Sequence, residues 1–99
     1  MKKQLIQFNF SGVTEKQYEQ VNDELRRIGQ FPPSGLIHHI ASFEGKNCQV
    51  TELWESKDAF ERFGRTLMPI VNKFGIPEAK PTVRTVYNEF SSVETHEMH

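Results

Sequence analysis

The feature that most constrains the fold is the corner at residues 53–60, where an extended segment gives way to a long amphipathic helix. The strand is predicted to end at Trp54. Ser56 can cap the helix, because its hydroxyl accepts from an amide that the first turn leaves free, and Asp58 places negative charge at the positive end of the helix dipole. Apolar residues then recur at helical spacing, at Phe60, Phe63, Leu67, Ile70 or Val71, and Phe74.

Turn and cap signals divide the rest of the chain into further elements. Thr14 and Gln17 form a capping-box pattern at the start of a first helix, and Gly29 supplies its stop. Pro69 removes a backbone donor inside the second helix, so we expect a kink or break at residues 66–68. The predicted strands cover residues 4–10, 36–43, 48–55 and 83–90, and the helices begin after Thr14 and Ser56.

The resulting order, β-α-β-β-α-β, indicates an α+β fold of the ferredoxin-like type, with two helices covering one face of an antiparallel four-stranded sheet. The 99 residues are enough for one domain with a modest core. We expect residues 1–90 to form this domain. Residues 91–99 are polar and lack periodicity, which predicts a flexible C-terminal tail.

Charge and composition exclude several classes of partner. The 12 basic and 13 acidic residues are mixed along the chain and give a net charge of -1, so we expect no binding to nucleic acid or anionic membranes. No apolar run is long enough to span a bilayer, and polar residues interrupt the apolar stretch that a signal peptide would need. Cys48 is the only cysteine, which excludes an internal disulfide. A cytoplasmic protein is therefore expected.

The two faces of the sheet predict a second copy of the chain as a partner. One face carries Ile37, His39, Ala41 and Phe43 beside Cys48, Val50, Glu52 and Trp54, and the other carries Leu36, His38, Ile40 and Ser42 beside Gln49, Thr51, Leu53 and Glu55. A sheet with helices on one side and water on the other would alternate more cleanly. The second face therefore needs a cover, and the simplest is the same face of another copy, which predicts a homodimer.

At this point the chain resembles a known family. The element order, the W-E-S-K-D-A-F corner at residues 54–60, Phe63, Pro69 and the closing V-Y-N at residues 86–88 are similar to the dimeric α+β barrel superfamily. That superfamily includes the antibiotic biosynthesis monooxygenase-like proteins. The resemblance covers residues 4–90. It implies a barrel of two sheets at a dimer interface, a pocket between each sheet and its own helices, and activities that include cofactor-free monooxygenation of quinol-like aromatics.

One position departs from the pattern of this superfamily. Many of its catalytic members carry a histidine or tryptophan on the second helix, a few residues after the corner, where this chain has Phe63. Neither the haem-degrading pattern nor the commonest monooxygenase pattern therefore carries over. We expect no haem, flavin or metal cofactor.

His39 and Glu52 are the candidate catalytic residues, because they lie opposite each other in the predicted register. A carboxylate beside an imidazole favours the charged ring and could tune a general acid or base. The alternative is a cross-strand pair that only sets the register. A one-residue change in the length of the turn would replace His39 by His38 in this pair.

Aromatic residues are the candidate ligand-binding groups. Trp54, Phe63, Tyr18 and Tyr87 could line a pocket for a small apolar or aromatic molecule, and Tyr87 is the most plausible polar contact. The alternative is that these side chains are plain core. Two functions follow. The first is a small-molecule-binding protein or a cofactor-free enzyme with a monooxygenase-like activity on an aromatic substrate. The second is a non-catalytic structural or regulatory dimer with no open pocket.

The histidines do not predict a strong metal site. His38 and His39 are adjacent on a strand, so they point to opposite faces and cannot both bind one ion. His96 and His99 in the tail could bind zinc weakly, but a frayed segment lacks the surrounding groups that orient metal ligands.

Overall fold

The computed structural model describes residues 2–92 and confirms the predicted β-α-β-β-α-β order. All three strand pairings are antiparallel, and the four strands form one sheet in the order β2-β3-β1-β4. This is the ferredoxin-like α+β arrangement. The elements are β1 (Gln4–Ser11), α1 (Glu15–Arg27), β2 (Leu36–Glu44), β3 (Asn47–Trp54), α2 (Lys57–Lys73) and β4 (Thr82–Thr85).

The caps predicted for both helices are present. The Thr14 hydroxyl accepts from the Gln17 amide at 3.1 Å, while the Gln17 side chain accepts from the Thr14 amide at 2.9 Å. Ser56 caps α2 by accepting from the Ala59 amide at 3.1 Å. Gly29 ends α1 with a positive φ of 76°, a conformation that glycine adopts without steric cost. The start and the end of α1 are therefore set by local sequence.

The break predicted at residues 66–68 is absent, because α2 runs as one helix from Lys57 to Lys73. Proline at this position removes the hydrogen bond to the carbonyl of Arg65. Both Arg65 and Pro69 are exposed, so water can satisfy that carbonyl. Buried side chains on either side of the proline, Phe63 and Ile70, hold the helix against the core. Packing on the buried face thus outweighs the missing bond on the exposed face.

The β2–β3 hairpin has the predicted pairing over most of its length. A two-residue turn at Gly45 and Lys46 joins the strands, and His39 lies opposite Glu52. The register shifts between Leu36 and His38, so Ile37 is an extra residue in a β-bulge. The predicted position of Ile37 directly opposite Trp54 is therefore wrong. Leu36 takes that place and packs against the core, while Ile37 is exposed.

The last strand is shorter than predicted. β4 ends at Thr85 instead of Phe90, because Thr85 already pairs with Gln4, the first residue of β1. One further backbone bond, from the Val86 amide to the Lys3 carbonyl at 2.9 Å, continues the pairing. Beyond it the segment follows no neighbouring strand among the described residues. Residues 91 and 92 are irregular, and the rest of the predicted tail, residues 93–99, lies outside the described residues.

The core lies between the helices and one face of the sheet. Ile6 of β1 and Trp54 of β3 are fully buried there, beside Phe63 and Val71 of α2. The connector before β2 packs closely on α2 at Gly35, which has a φ of +91°; a Cβ there would lie 2.5 Å from the Cβ of Ala59. Gly35 is thus required both by its backbone conformation and by the close approach.

The opposite face of the sheet has no covering element among residues 2–92. Ile40 is 63% exposed on this face, next to Thr51 of β3. Leu5 and Leu53 pair with each other on the same face and are half-buried. Neither described helix is long and apolar enough to cross a membrane.

Candidate functional site

A cavity of about 410 Å³ lies between the sheet and its own helices. Its wall is mostly apolar. β1 contributes Phe8 and Phe10, α1 contributes Leu25, and α2 contributes Phe63 and Leu67. The connector at residues 31–33 also borders the cavity. This placement is the one that the resemblance implied for a pocket.

A hydrogen-bonded polar group on this wall contains the two candidate catalytic residues. His39 Nδ1 lies 2.7 Å from Glu52 Oε2. The other carboxylate oxygen, Oε1, accepts from Trp54 Nε1 at 2.9 Å. The side chain of Glu52 is only 9% exposed, whereas that of His39 is 30% exposed. Each oxygen of the buried carboxylate therefore has a partner, as burial of such a group requires.

Tyr18 extends this group towards the cavity. Its hydroxyl oxygen lies 2.7 Å from His39 Nε2, and its ring packs edge-on against Phe43. The capping box at Thr14 sets where α1 begins, and this places Tyr18 in the first turns of the helix, over β2. Burial raises the pKa of the Tyr18 phenol above its usual value. The phenol is thus neutral at physiological pH.

The structure brings together most of the residues that the sequence singled out. His39, Glu52, Tyr18 and Phe63 all border the cavity. Trp54 lies behind the wall, fully buried, with its indole ring 5.5 Å from that of Phe63. It contacts the site through its N–H bond to Glu52, whereas the sequence had suggested a place in the wall.

Tyr87 lies apart from this group. It follows the end of β4 and is 101% exposed in the single chain. The strand that suggested Tyr87 ends earlier than predicted, at Thr85, so no helix or strand of residues 2–92 carries the Tyr87 side chain to the cavity. Of the two adjacent histidines, His39 is the one that faces Glu52, although His38 also borders the cavity.

Sequence reasoning missed several wall residues. Phe8 and Phe10 alternate with the polar residues of β1 and follow buried Ile6, so the period of two could have identified them. The connector at residues 31–33 carries no such signal, because its place at the cavity depends on how it crosses between α1 and β2. The Tyr18–His39 contact was missed for the same reason.

Residues 2–92 contain no group of three or more His, Cys, Asp or Glu side chains arranged to hold a metal ion. His96 and His99, named above as weak zinc ligands, lie outside the described residues. Cys48 borders the cavity as a buried thiol, and burial raises its pKa. It is therefore a neutral thiol rather than a reactive thiolate.

Comparison with known proteins finds similarity in structure but none in sequence. No protein-family model matches the chain, and no curated protein matches it. SnoaB, a cofactor-independent oxygenase from Streptomyces nogalater, is 14% identical with a TM-score of 0.63, over 90% of this chain and 97% of that chain. A putative antibiotic biosynthesis monooxygenase from Deinococcus radiodurans is 12% identical with a TM-score of 0.59, over 92% and 99% of the two chains.

A third similar structure contains a bound small molecule. It is the monooxygenase ActVA-Orf6 of Streptomyces coelicolor in complex with nanaomycin D, which is 8% identical with a TM-score of 0.61, over 93% of this chain and 94% of that chain. At these identities the similarity concerns the fold alone. The chain therefore has the fold of the antibiotic biosynthesis monooxygenase-like proteins, as its element order and corner motif predicted.

Proposed function

We propose that the protein binds a small apolar or aromatic molecule in the cavity and acts on it as a cofactor-free monooxygenase-like enzyme. The observation that carries this proposal is an apolar cavity with a paired imidazole and carboxylate on its wall. Its volume of about 410 Å³ lies within the usual range for small-molecule sites. The flat aromatic side chains around it, such as Phe8 and Phe63, favour a planar ligand.

The chemistry follows from His39 and Glu52. The Glu52 carboxylate orients the imidazole and stabilises the cation that forms when the ring accepts a proton. Removing a proton from a hydroxylated aromatic leaves an electron-rich anion that can reduce O₂ directly. One oxygen atom then replaces the hydrogen of a ring carbon, and the other leaves as water with that hydrogen and the hydroxyl proton. The substrate supplies the four electrons and becomes a quinone. SnoaB is itself described as a cofactor-independent oxygenase, which supports this class of reaction on this fold.

The alternative function, a structural or regulatory dimer whose pocket is filled by its own side chains, has less support. Its main argument is Phe63, which replaces the polar group that many catalytic members of the superfamily carry on the second helix. The cavity argues against it, because Phe63 borders that space without filling it.

We also propose that the protein is a homodimer through the uncovered face of the sheet. Ile40 is 63% exposed there, and Leu5 and Leu53 are only half-buried. A second copy would remove this apolar surface from water. Sedimentation velocity at micromolar concentration tests the proposal, and a stable monomer would contradict it.

The test of the proposed function is a ligand screen followed by an oxygen-uptake assay. A thermal-shift screen of naphthols, hydroquinones and related phenols should give at least one compound that raises Tm, because a ligand that binds only the folded state stabilises it. Oxygen consumption with such a compound should then depend on the protein and fall in His39→Ala. If no aromatic compound shifts Tm, the ligand class is wrong. If compounds bind without oxygen uptake, the protein is a binder and the enzymatic part of the proposal fails.

A further inference from the structure

The group formed by Tyr18, His39, Glu52 and Trp54 has the geometry of a proton relay. We propose that Tyr18 takes a proton from a ligand hydroxyl and passes its own proton to His39, with Glu52 as the counter-charge and Trp54 as a positioning residue. This inference rests on the proposed function, because the relay needs a ligand in the cavity. It narrows the ligand class to molecules with an acidic hydroxyl, namely phenols and enols.

The hydrogen bonds of Glu52, at the buried end of the group, set the direction in which the proton moves. A carboxylate offers only acceptors, and the Trp54 indole offers only a donor. Glu52 Oε1 therefore accepts from Trp54 at 2.9 Å, and Oε2 accepts from the Nδ1–H of His39 at 2.7 Å. With its proton on Nδ1, the neutral imidazole presents a lone pair at Nε2. The Tyr18 hydroxyl, 2.7 Å away, is then the donor to that lone pair.

Both nitrogens of His39 are occupied in this arrangement, one by Glu52 and the other by Tyr18. A ligand that keeps these bonds intact does not meet the imidazole first. It meets the oxygen of Tyr18, which has directed its own proton towards His39 and shares the cavity wall with Asn22, a second hydrogen-bond partner of the phenol. Tyr18 is thus placed between the ligand and the base.

The same distances serve the relay before and after proton transfer. When His39 is neutral, Tyr18 donates to Nε2; when His39 is an imidazolium, Nε2–H donates to the Tyr18 oxygen. The 2.7 Å separation suits either direction. No side chain has to move between the two states, which is the preorganisation that efficient proton transfer needs.

The step balances without any other reactant. The ligand O–H bond breaks and a new O–H bond forms on Tyr18, while the former Tyr18 proton forms an N–H bond at Nε2 of His39. The products are a ligand anion and an imidazolium paired with Glu52. The step involves no oxidation or reduction. Burial raises the pKa of Tyr18, so a free phenolate is disfavoured and the two transfers occur together.

The test uses p-nitrophenol and its methyl ether, p-nitroanisole, as probes. The two have similar shapes, but only the phenol can lose a proton, and its anion has a distinct absorbance. The wild-type protein should bind both and should increase the anion fraction of bound nitrophenol at a pH where free nitrophenol is mostly neutral. Binding of both probes without any increase in the anion would overturn the relay and leave the proposed function standing. If neither probe binds, the relay proposal fails, and the wider screen of aromatic compounds decides the proposed function.

Tyr18→Phe removes the relay hydroxyl and keeps the ring. The variant should lose the increase in anion and bind nitrophenol about tenfold more weakly, which is the effect of one hydrogen bond to a charged group, with unchanged affinity for nitroanisole. An anion fraction equal to or above that of the wild type would show that His39 takes the proton directly, which would overturn the role of Tyr18. Equal loss of affinity for both probes would indicate a role in shape alone and would also overturn it.

Glu52→Gln tests the direction of the relay with little change in shape. The glutamine carbonyl must face the Trp54 N–H, so its amide donates to Nδ1 of His39 and forces the proton to Nε2. His39 then donates to Tyr18 and can no longer accept its proton, so the anion signal should vanish while nitroanisole still binds. Glu55→Gln, which removes an exposed carboxylate just beyond β3, is the matched control and should behave as the wild type. A persistent anion signal in Glu52→Gln would refute the relay.

Discussion

His39→Ala gives a direct measure of what the polar group contributes to stability. The substitution removes the donor to Glu52 Oε2 and the partner of the Tyr18 hydroxyl, two contacts of 2.7 Å each. Glu52 is only 7% exposed, so its carboxylate would be left with one protein donor in a buried position. A net loss of about 1.5–3 kcal/mol is typical for a hydrogen bond to a charged group.

The partial exposure of His39 reduces the expected loss in the free energy of unfolding. Its side chain is 30% exposed, so a water molecule can enter the space and donate to Glu52 in its place. We therefore expect a loss of about 2 kcal/mol in the free energy of unfolding, which corresponds to a decrease in Tm of roughly 10 °C for a domain of this size. The measurement is urea denaturation or thermal melting followed by circular dichroism.

His38→Ala is the matched control, since His38 is the neighbouring residue on β2 and makes no side-chain hydrogen bond among the described residues. Exposed substitutions of this kind change stability by about 0.5 kcal/mol or less. Equal losses for the two variants would refute the argument that the polar group stabilises the fold. The same His39→Ala protein also separates the two roles of the pair: lower Tm with unchanged ligand affinity would remove His39 from the site.

Four other substitutions test the fold, the assembly and one surface ion pair. Gly35→Ala should lose about 1–3 kcal/mol through its contact with α2, whereas Gly12→Ala, at a similar positive φ but with open space around it, should lose less, as thermal melting would show. Ile40→Asp should dissociate or unfold the proposed dimer, as seen by sedimentation, because it buries an unpaired charge; a dimer of unchanged stability would place the interface elsewhere. The pKa of Glu24 is lowered to about 2 by its hydrogen bond to Arg27, so its contribution to stability is present above the usual carboxyl value of 4.5 and is lost as the pH falls towards 2. Melting curves of Glu24→Gln should therefore differ from those of the wild type more at pH 6 than at pH 2, and a constant difference would contradict this.

Local signals account for most of the fold. The capping box at Thr14 and the cap at Ser56 each depend on residues within one helical turn, so the sequence could predict both helix starts. Alternation along β2 and β3 likewise predicted that His39 lies opposite Glu52, because the short turn between the strands leaves little freedom in register. The bulge at Ile37 escaped prediction, since nothing in the neighbouring residues marks where a strand takes up an extra residue.

The candidate site could be predicted only in part. His39 and Glu52 are close because their strands pair, and a hairpin is a local structure. Tyr18 reaches His39 across 21 residues of chain, through the packing of α1 on β2. Tyr87 is the opposite case. The residues around it have the pattern of a strand, but Thr85 already pairs with Gln4, the first residue of β1, so a strand beyond Thr85 has no partner in β1.

By itself, the sequence determined the element order, the caps, the hairpin register and the apolar character of the helix faces, because each depends on residues close together in the chain. Tertiary structure alone decided three things: that α2 continues through Pro69, that a cavity remains between the sheet and its helices, and that Tyr18, His39, Glu52 and Trp54 form one connected group. The physical reason is that these features depend on which surfaces meet when the helices pack on the sheet. A buried face can compensate for a lost helical bond, and only packing brings a hydroxyl on one element within 2.7 Å of a ring on another.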